Sequence, residues 1–327
     1  MINQEAQERR DAEAAHEGLH RVVMFGDGHS GTRVEMELPT APRRRTGSGM
    51  SGVDVVDSLS HQERMDLMRQ GLLGSVHSWE LVTAVDGPGT RMTVFMNGCP
   101  LRCLYCHNPD TFQMRDGEPV MAEELMKKLK RYAPIFRASG GGVTFSGGEC
   151  LQQPAFLARM LRSAQELGIH TCIDTSGYLG RALSDDMLRD TDLVLLDIKS
   201  GDPDTYRRVT GRDLQPTIDF AYRLAREGLP GGVDQDKPVE VWVRFVLVPG
   251  LTDDLDNVEL VAGYAAQMNQ IRPGTVSRVE VLPFHQLGRD KWAALGRHYE
   301  LDDVRPPQPA ETEAVRDILR AKGLTTF

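Results

Sequence analysis

Three of the five cysteines in this chain, Cys99, Cys103 and Cys106, fall inside eight residues. They lie in Asn97-Gly98-Cys99-Pro100-Leu101-Arg102-Cys103-Leu104-Tyr105-Cys106-His107-Asn108-Pro109-Asp110, where glycine and proline favour a loop over regular structure. Such a loop is built to wrap a metal centre. A cubane of four irons and four sulfides takes one outside thiolate per iron, so a CxxxCxxC trio fills three corners and leaves the fourth open. An open corner distinguishes a centre that does chemistry from one that only holds a fold, the logic by which catalytic zinc keeps a position for water or substrate.

Other chemistries use part of the same string. Cys103-Leu104-Tyr105-Cys106-His107 matches the attachment pattern of a c-type haem, which belongs to exported proteins. The first residues carry Glu5, Glu8 and Asp11 and lack the apolar stretch of an export signal, so a haem is disfavoured. A structural zinc held by the three cysteines and His107 is a second alternative. A disulfide framework fails on count, because five cysteines in 327 residues are few and odd. Reduced thiols and a cytoplasmic location are expected.

A chain of 327 residues with 40% hydrophobic content can bury a full core, and its length suits one large domain with an appendage. The formal charge of -9 argues against nucleic acid as the main partner. Apolar runs such as Phe245 to Val248 fall far short of the roughly 18 residues of a membrane span, so no membrane partner is expected.

The elements that must position the cysteine loop can be read along the chain. Residues 1–73 form an amino-terminal extension unlike the remainder. Glu5 to Glu17 has helix-forming composition, Val22 to Leu38 suits two short strands around Gly26-Asp27-Gly28, and Arg43 to Gly52 reads as a linker. No chemistry is found there. Residues 74–327 form the main domain, in which short apolar runs alternate with helical patterns. The expected strands are Met92 to Phe95, Val143 to Phe145, Thr171 to Asp174, Leu193 to Ile198, Val239 to Val246 and Val279 to Leu282. Expected helices between them include Ala122 to Tyr132, Pro154 to Leu167 and Asp256 to Met268. Six β-then-α units predict a parallel sheet, and the unalternating Leu193-Val194-Leu195-Leu196 predicts cover on both faces.

Unusual residues cluster where these strands end. Asn97 and the cysteine loop follow the first strand, Ser146-Gly147-Gly148-Glu149 the second and Asp174-Thr175-Ser176-Gly177 the third. Asp197 and Lys199 close the fourth, Arg244 lies in the fifth and Pro283-Phe284-His285 follows the sixth. Carboxyl ends of barrel strands carry active sites, so one mouth over the cysteine loop is expected. Ser139 to Glu149 is glycine-rich but lacks the lysine of a phosphate loop. Its glycines would let backbone approach a ligand, and Glu149 could receive an ammonium group. Asp174, Asp197 and Lys199 are charges ending apolar strands; they either pair with one another or Arg244, or the aspartates coordinate a cation or ligand hydroxyls. Cys150 and Cys172 match no ligand spacing and are expected as small buried hydrophobes.

From about Gly74 to Phe327 the chain resembles the pyruvate formate-lyase activating enzymes, a family of radical S-adenosylmethionine (SAM) proteins. The resemblance rests on Asp86-Gly87-Pro88-Gly89-Thr90-Arg91, the loop from Gly98 to Asn108, Ser139 through Glu149, and His170-Thr171-Cys172-Ile173-Asp174-Thr175. It continues through Leu196-Asp197-Ile198-Lys199, Val246-Leu247-Val248-Pro249-Gly250 and Leu282-Pro283-Phe284-His285-Gln286-Leu287-Gly288. It implies an α/β fold, an incomplete (β/α)6 TIM-like barrel of the radical SAM type, open at the side. It implies a [4Fe-4S] cluster on Cys99, Cys103 and Cys106, and SAM contacts at Tyr105, Cys106, His107, Gly148, Asp197, Ile198, Lys199 and His285. A monovalent cation would sit at Asp174, Thr175 and Asp197, and no catalytic residue is implied beyond cluster and SAM. The implied reaction is reductive cleavage of SAM, whose 5'-deoxyadenosyl radical takes hydrogen from a glycine of a partner, pyruvate formate-lyase or another glycyl-radical enzyme. A flavodoxin or ferredoxin-type protein would donate the electron. Asn108 to Gly142 contains no cysteine, where many relatives acting on other glycyl-radical enzymes insert further clusters. Cys150 and the segment before Gly74 depart from the family pattern.

Overall fold

The computed structural model describes residues 49–56, 58–83, 85–227 and 239–327, together with the backbone of three short strands that precede them. The stretch from Glu5 to Glu17 lies outside the described residues. Strands β1 (Arg21–Val23) and β2 (Glu35–Glu37) pair antiparallel, the hairpin expected between Val22 and Leu38. The stretch read as a linker contributes β3 (Arg43–Arg44), which pairs with β4 (Asp54–Val55). Gly49 and Gly52 take positive φ of 100° and 67°, and the turn they make puts Met50 and Val53 into the main core. Helix α1 (His61–Arg69), capped by Ser60 and Glu63, then leads into β5 (Leu73–Thr83). Val56, Leu67, Leu72, Leu73 and Met121 form a small cluster of their own, so residues 49–73 pack onto the domain that follows them.

Six strands run parallel. They are β6 (Arg91–Met96), then, after β7 (Glu118–Met121) and α2 (Ala122–Ser139), β8 (Gly142–Gly147). Helix α3 (Pro154–Glu166) leads to β9 (His170–Thr175), and α4 (Asp185–Arg189) to β10 (Leu193–Asp197). Helices α5 (Pro203–Thr210) and α6 (Gln215–Glu227) lead to β11 (Glu240–Leu247), and α7 (Leu255–Ile271) to β12 (Val276–Pro283). Two helices close the chain, α8 (Arg289–Ala294) and α9 (Pro309–Ala321). The sheet order is β12-β11-β10-β9-β8-β6-β5-β7-β4-β3, with β5, β7 and β4 antiparallel to their neighbours. Its two end strands are not paired with each other, so the barrel is incomplete. The outer edge of β12 carries only the last residues of the chain, through Val279 N–H to Thr325 O (2.7 Å) and Phe327 N–H to Val279 O (3.1 Å).

Alternation along each strand separates two interiors. Val143 and Phe145 of β8, and Val194 and Leu196 of β10, point outward to the helices. Leu193 and Leu195 join Cys172 and Trp242 in a separate inner cluster, which explains the uninterrupted apolar run of β10. Towards the carboxyl ends the inner face turns polar, with Ser146, Asp174, Asp197 and Arg244. Helix α2 extends past Tyr132 through Pro134, because its buried stripe Leu125, Leu129, Ala133 and Phe136 continues; it stops at Gly140, whose φ of 64° a side chain would disfavour. Among the described residues no helix is long and apolar enough to cross a membrane.

The antiparallel β5 has no strong apolar pattern and is held by pairing and by one side chain. Gln153, at the start of α3, accepts from Ser75 N–H (2.8 Å) and donates to the carbonyls of Ser75 (2.8 Å) and Asn97 (2.9 Å), all buried. Gln153→Ala would leave the Ser75 N–H and the Asn97 carbonyl without this partner, while the Ser75 carbonyl keeps the Asn97 N–H (3.0 Å). The expected loss is about 3 kcal/mol of unfolding free energy, read from urea denaturation; a change below about 1 kcal/mol would show that water replaces the side chain.

Candidate active site

The cysteine loop leaves β6 and is fastened to three other parts of the chain. Gly98 and Cys99 donate backbone N–H groups to Thr111 O (2.7 Å) and Phe112 O (3.2 Å), folding the loop onto its own continuation. Arg102 and Leu104 donate to Thr210 O (2.8 Å) and Val209 O (3.0 Å) at the end of α5. Trp292 Nε1 of α8 donates to Cys106 O (2.9 Å). Beyond the cysteines, Lys291 Nζ reaches Asn108 Oδ1 (2.8 Å) and Asp110 Oδ2 (3.1 Å), and His77 Nε2 shares Asp110 Oδ2 (2.8 Å). Burial alone would raise the Asp110 carboxyl, yet these two partners hold it down at about 2.

Cys103 is buried, Cys99 and Cys106 are partly buried, and all three are free thiols. Burial pushes each thiol up, Cys106 to about 12, so without a cation they stay protonated. A bound iron centre supplies the positive charge that makes thiolates of them. Among the described residues no three His, Cys, Asp or Glu side chains are gathered to hold a single ion, so the zinc tetrahedron of three cysteines and His107 has no counterpart. A cubane imposes no such convergence, since each thiolate binds a different iron.

The other expected residues surround the same mouth. Gly148 follows β8, donates its N–H to Met96 O (2.8 Å), and lies so close to the loop that a Cβ would stand 2.6 Å from Gly98 O. His107 stacks on His285 with ring centres 4.2 Å apart, and burial, reinforced by His285, lowers its pKa to about 4. The loop after His285 touches the cysteine loop too, because a Cβ on Gly288 would meet Cys106 O at 2.7 Å. Lys199 Nζ pairs with Asp197 Oδ2 (2.5 Å) and lies 5.9 Å from the Tyr105 ring centre. Burial opposes the lysine charge, and Asp197 more than offsets it, holding the ammonium well above its ordinary pKa. Ile198 is fully buried and its N–H donates to Arg244 O (3.0 Å). Tyr105 is 5% exposed, and among the described residues its hydroxyl has no hydrogen-bond partner, an uncommon state for a buried polar atom.

Glu149 does not wait for an ammonium group. It is 1% exposed and accepts from Thr175 Oγ1 (2.6 Å), Ser176 N–H (3.0 Å), Ser176 Oγ (2.6 Å) and Leu151 N–H (3.2 Å), so its oxygens are consumed in tying the β8 loop to the β9 loop. Asp174 accepts from Ser146 Oγ (2.6 Å) and stands 3.4 Å from Arg244 Nη1, while Asp197 stands on the adjacent strand one step nearer the mouth. Cys150 and Cys172 are buried, as expected. Trp292, Thr210 and Lys291 went unread because they are far along the chain from the residues they fasten and no spacing marks them.

Residues 93–260 match the family model described as the radical SAM superfamily. The chain is 41% identical over 254 residues to pyruvate formate-lyase 1-activating enzyme of Escherichia coli K12, covering 77% of this chain and 97% of the relative. It is 46% identical over 249 residues to pyruvate formate-lyase-activating enzyme of Clostridium pasteurianum, covering 76% and 98%. In fold it is similar to a radical SAM methyltransferase from Sphaerobacter thermophilus (TM-score 0.51, 18% identity, 82% of this chain and 81% of that one) and to Streptococcus suis SuiB (TM-score 0.52, 14% identity, 83% and 55%).

Burial pushes the Asp174 carboxyl from 3.8 up to about 6, against the pull of Arg244. Between those values the folded chain binds a proton that the unfolded chain does not, so the stability this group contributes at low pH is lost as pH rises through about 6. Relative to the wild type, Asp174→Asn should therefore gain about 2 kcal/mol between pH 4 and pH 7, measured by urea denaturation of the cluster-free protein. A difference that does not change with pH would mean that Arg244 fully compensates the burial.

Proposed function

The chain belongs to the pyruvate formate-lyase-activating enzymes of the radical SAM superfamily, and we propose that it installs the glycyl radical of pyruvate formate-lyase. The observation that carries this is the loop of three free thiols fastened at the carboxyl ends of six parallel strands, with a mouth of charged and orphaned groups above it. Cys99, Cys103 and Cys106 hold a [4Fe-4S] cluster, leaving one iron for SAM. A bound and reduced cluster would supply the electron for cleavage of SAM, the chemistry by which a glycine of the partner would lose a hydrogen atom.

The chain's own residues bind, orient and shield. Tyr105, Cys106, His107, Gly148, Asp197, Ile198, Lys199 and His285 line the SAM site. The stacked His107 and His285 offer neutral aromatic faces, and Gly148 lets backbone come close without a side chain in the way. The Asp197–Lys199 pair keeps opposite charges inside the mouth, where low dielectric strengthens their pull on a zwitterionic ligand. Asp174, Thr175 and Asp197 would take a monovalent cation; Asp174 and Asp197 supply hard oxygens, while the Thr175 hydroxyl is already spent on Glu149. The incomplete barrel leaves a side through which a polypeptide loop can enter, and its apolar inner floor excludes water from the reaction. The electron comes from a flavodoxin or ferredoxin-type donor in the cytoplasm.

Anaerobic reconstitution followed by reduction with SAM and pyruvate formate-lyase should yield a glycyl radical by electron paramagnetic resonance; absence of that signal, with cluster and SAM both bound, would refute the assignment. Cys103→Ala should abolish 5'-deoxyadenosine formation while circular dichroism stays that of the folded chain. Asp197→Asn leaves Lys199 without its counter-charge and should weaken SAM binding to the reduced protein about tenfold, or 1.4 kcal/mol, by titration. Unchanged affinity would remove Asp197 from the site.

A further inference from the structure

The cysteine loop is flanked by exposed arginines in a chain whose 47 acidic residues outnumber its 38 basic ones. Arg102 lies between two of the thiols, donates through Nη1 to Cys99 O (2.6 Å) and Leu101 O (2.6 Å), and places its guanidinium 4.7 Å from the Phe112 ring centre. Arg297 covers the same ring at 5.6 Å, and Arg212 Nε donates to Pro100 O (2.9 Å). Arg208 immediately precedes the two carbonyls, of Val209 and Thr210, that anchor the loop. All four side chains are on exposed residues, and among the described residues no carboxylate stands within 4.0 Å of any of them. The nearby acids Asp204 and Asp213 are both taken up by Arg207.

Arginines that lie unpaired side by side repel one another and gain nothing for the fold, so their charge is available to a partner. We propose that this face is where an acidic one-electron carrier protein docks to reduce the cluster, an inference that rests on the activase function above. Beyond the loop the sequence has two further cysteines, Cys150 and Cys172, both fully buried, so the cysteines supply no second iron–sulfur ligand set. An electron must therefore come from outside, and the inner side of the loop is committed to the mouth that takes SAM and the partner polypeptide. Only the outer side is left, one loop's thickness from the thiols. One electron leaves the carrier, which is oxidised by one, and enters the cluster, which is reduced by one; no proton or group crosses. Transient redox complexes of this kind are small and depend on complementary charge for their rate of encounter.

The test compares wild type with Arg208→Glu combined with Arg297→Glu, positions whose side chains make no hydrogen bond in the chain. Reduction of the reconstituted cluster by a fully reduced flavodoxin is followed by stopped flow, and association of the two proteins by titration calorimetry. At low ionic strength the variant should lose at least tenfold in second-order rate and in affinity, and the gap should close in 0.5 M salt. Arg208→Gln with Arg297→Gln should show a smaller loss of the same sign. With dithionite, which needs no docking, cluster reduction and 5'-deoxyadenosine yield should be unchanged. Equal rates with flavodoxin at low ionic strength would overturn the proposal, and so would a loss that appears with dithionite as well. Failure of the wild type itself to form 5'-deoxyadenosine with dithionite would instead overturn the activase function on which it rests.

Discussion

The structure depends on fastening a loop that carries one buried and two partly buried thiols, Cys103, Cys99 and Cys106, at the carboxyl ends of the parallel strands. Burial makes each thiol reluctant to ionise, so the loop is a poor place for thiolates until an iron centre provides compensating charge. A loop that must wait for its ligand needs fastening that does not come from the ligand. Here it comes from Thr111 and Phe112, from the end of α5, and from Trp292 of α8, segments separated by up to 186 residues. The indole hydrogen bond to Cys106 O and the close approach of Gly288 place His285 against His107 at the same time, so the support of the cluster and one wall of the mouth are set by the same contacts.

Charge inside the barrel is arranged in the same economical way. Glu149 spends both oxygens on the neighbouring loop, which rigidifies the β8 and β9 ends and leaves Gly148 held against the cysteine loop. Asp197 keeps Lys199 charged in a site that would otherwise neutralise it. Arg244 stands between Asp174 and Glu280, and Glu280 also faces Arg278, so the acids of this end of the barrel are each met by a basic side chain. A hydrophobic floor of Cys172, Leu193, Leu195 and Trp242 lies beneath.

How much of this was legible differs by residue. The six parallel strands were visible as apolar runs, and their observed bounds differ from the expected ones by a few residues at most. The antiparallel β5 and β7 were not, because Leu73–Thr83 mixes Ser, His, Glu and Trp without a clean period and owes its place to β6 and to Gln153. Met50 was taken for a linker residue, since the glycines around it signal disorder as readily as the tight turn they form. Glu149 was read as open to a ligand because a glutamate after two glycines looks exposed in one dimension; Thr175 and Ser176, which enclose it, lie 26 and 27 residues away.

By itself the sequence determined the fold class and which thiols lie together on one loop, because thiol spacing and strand periodicity are local properties carried by neighbouring residues. It also determined that the charged residues would gather at one end, since each closes a strand and parallel strands end together. Only the tertiary structure decided which of those charges pair with one another, which hydroxyl is left without a partner and which arginines stand over the loop. Those outcomes depend on contacts between segments tens to hundreds of residues apart, and pairing energies at such range are settled by burial and geometry rather than by residue order.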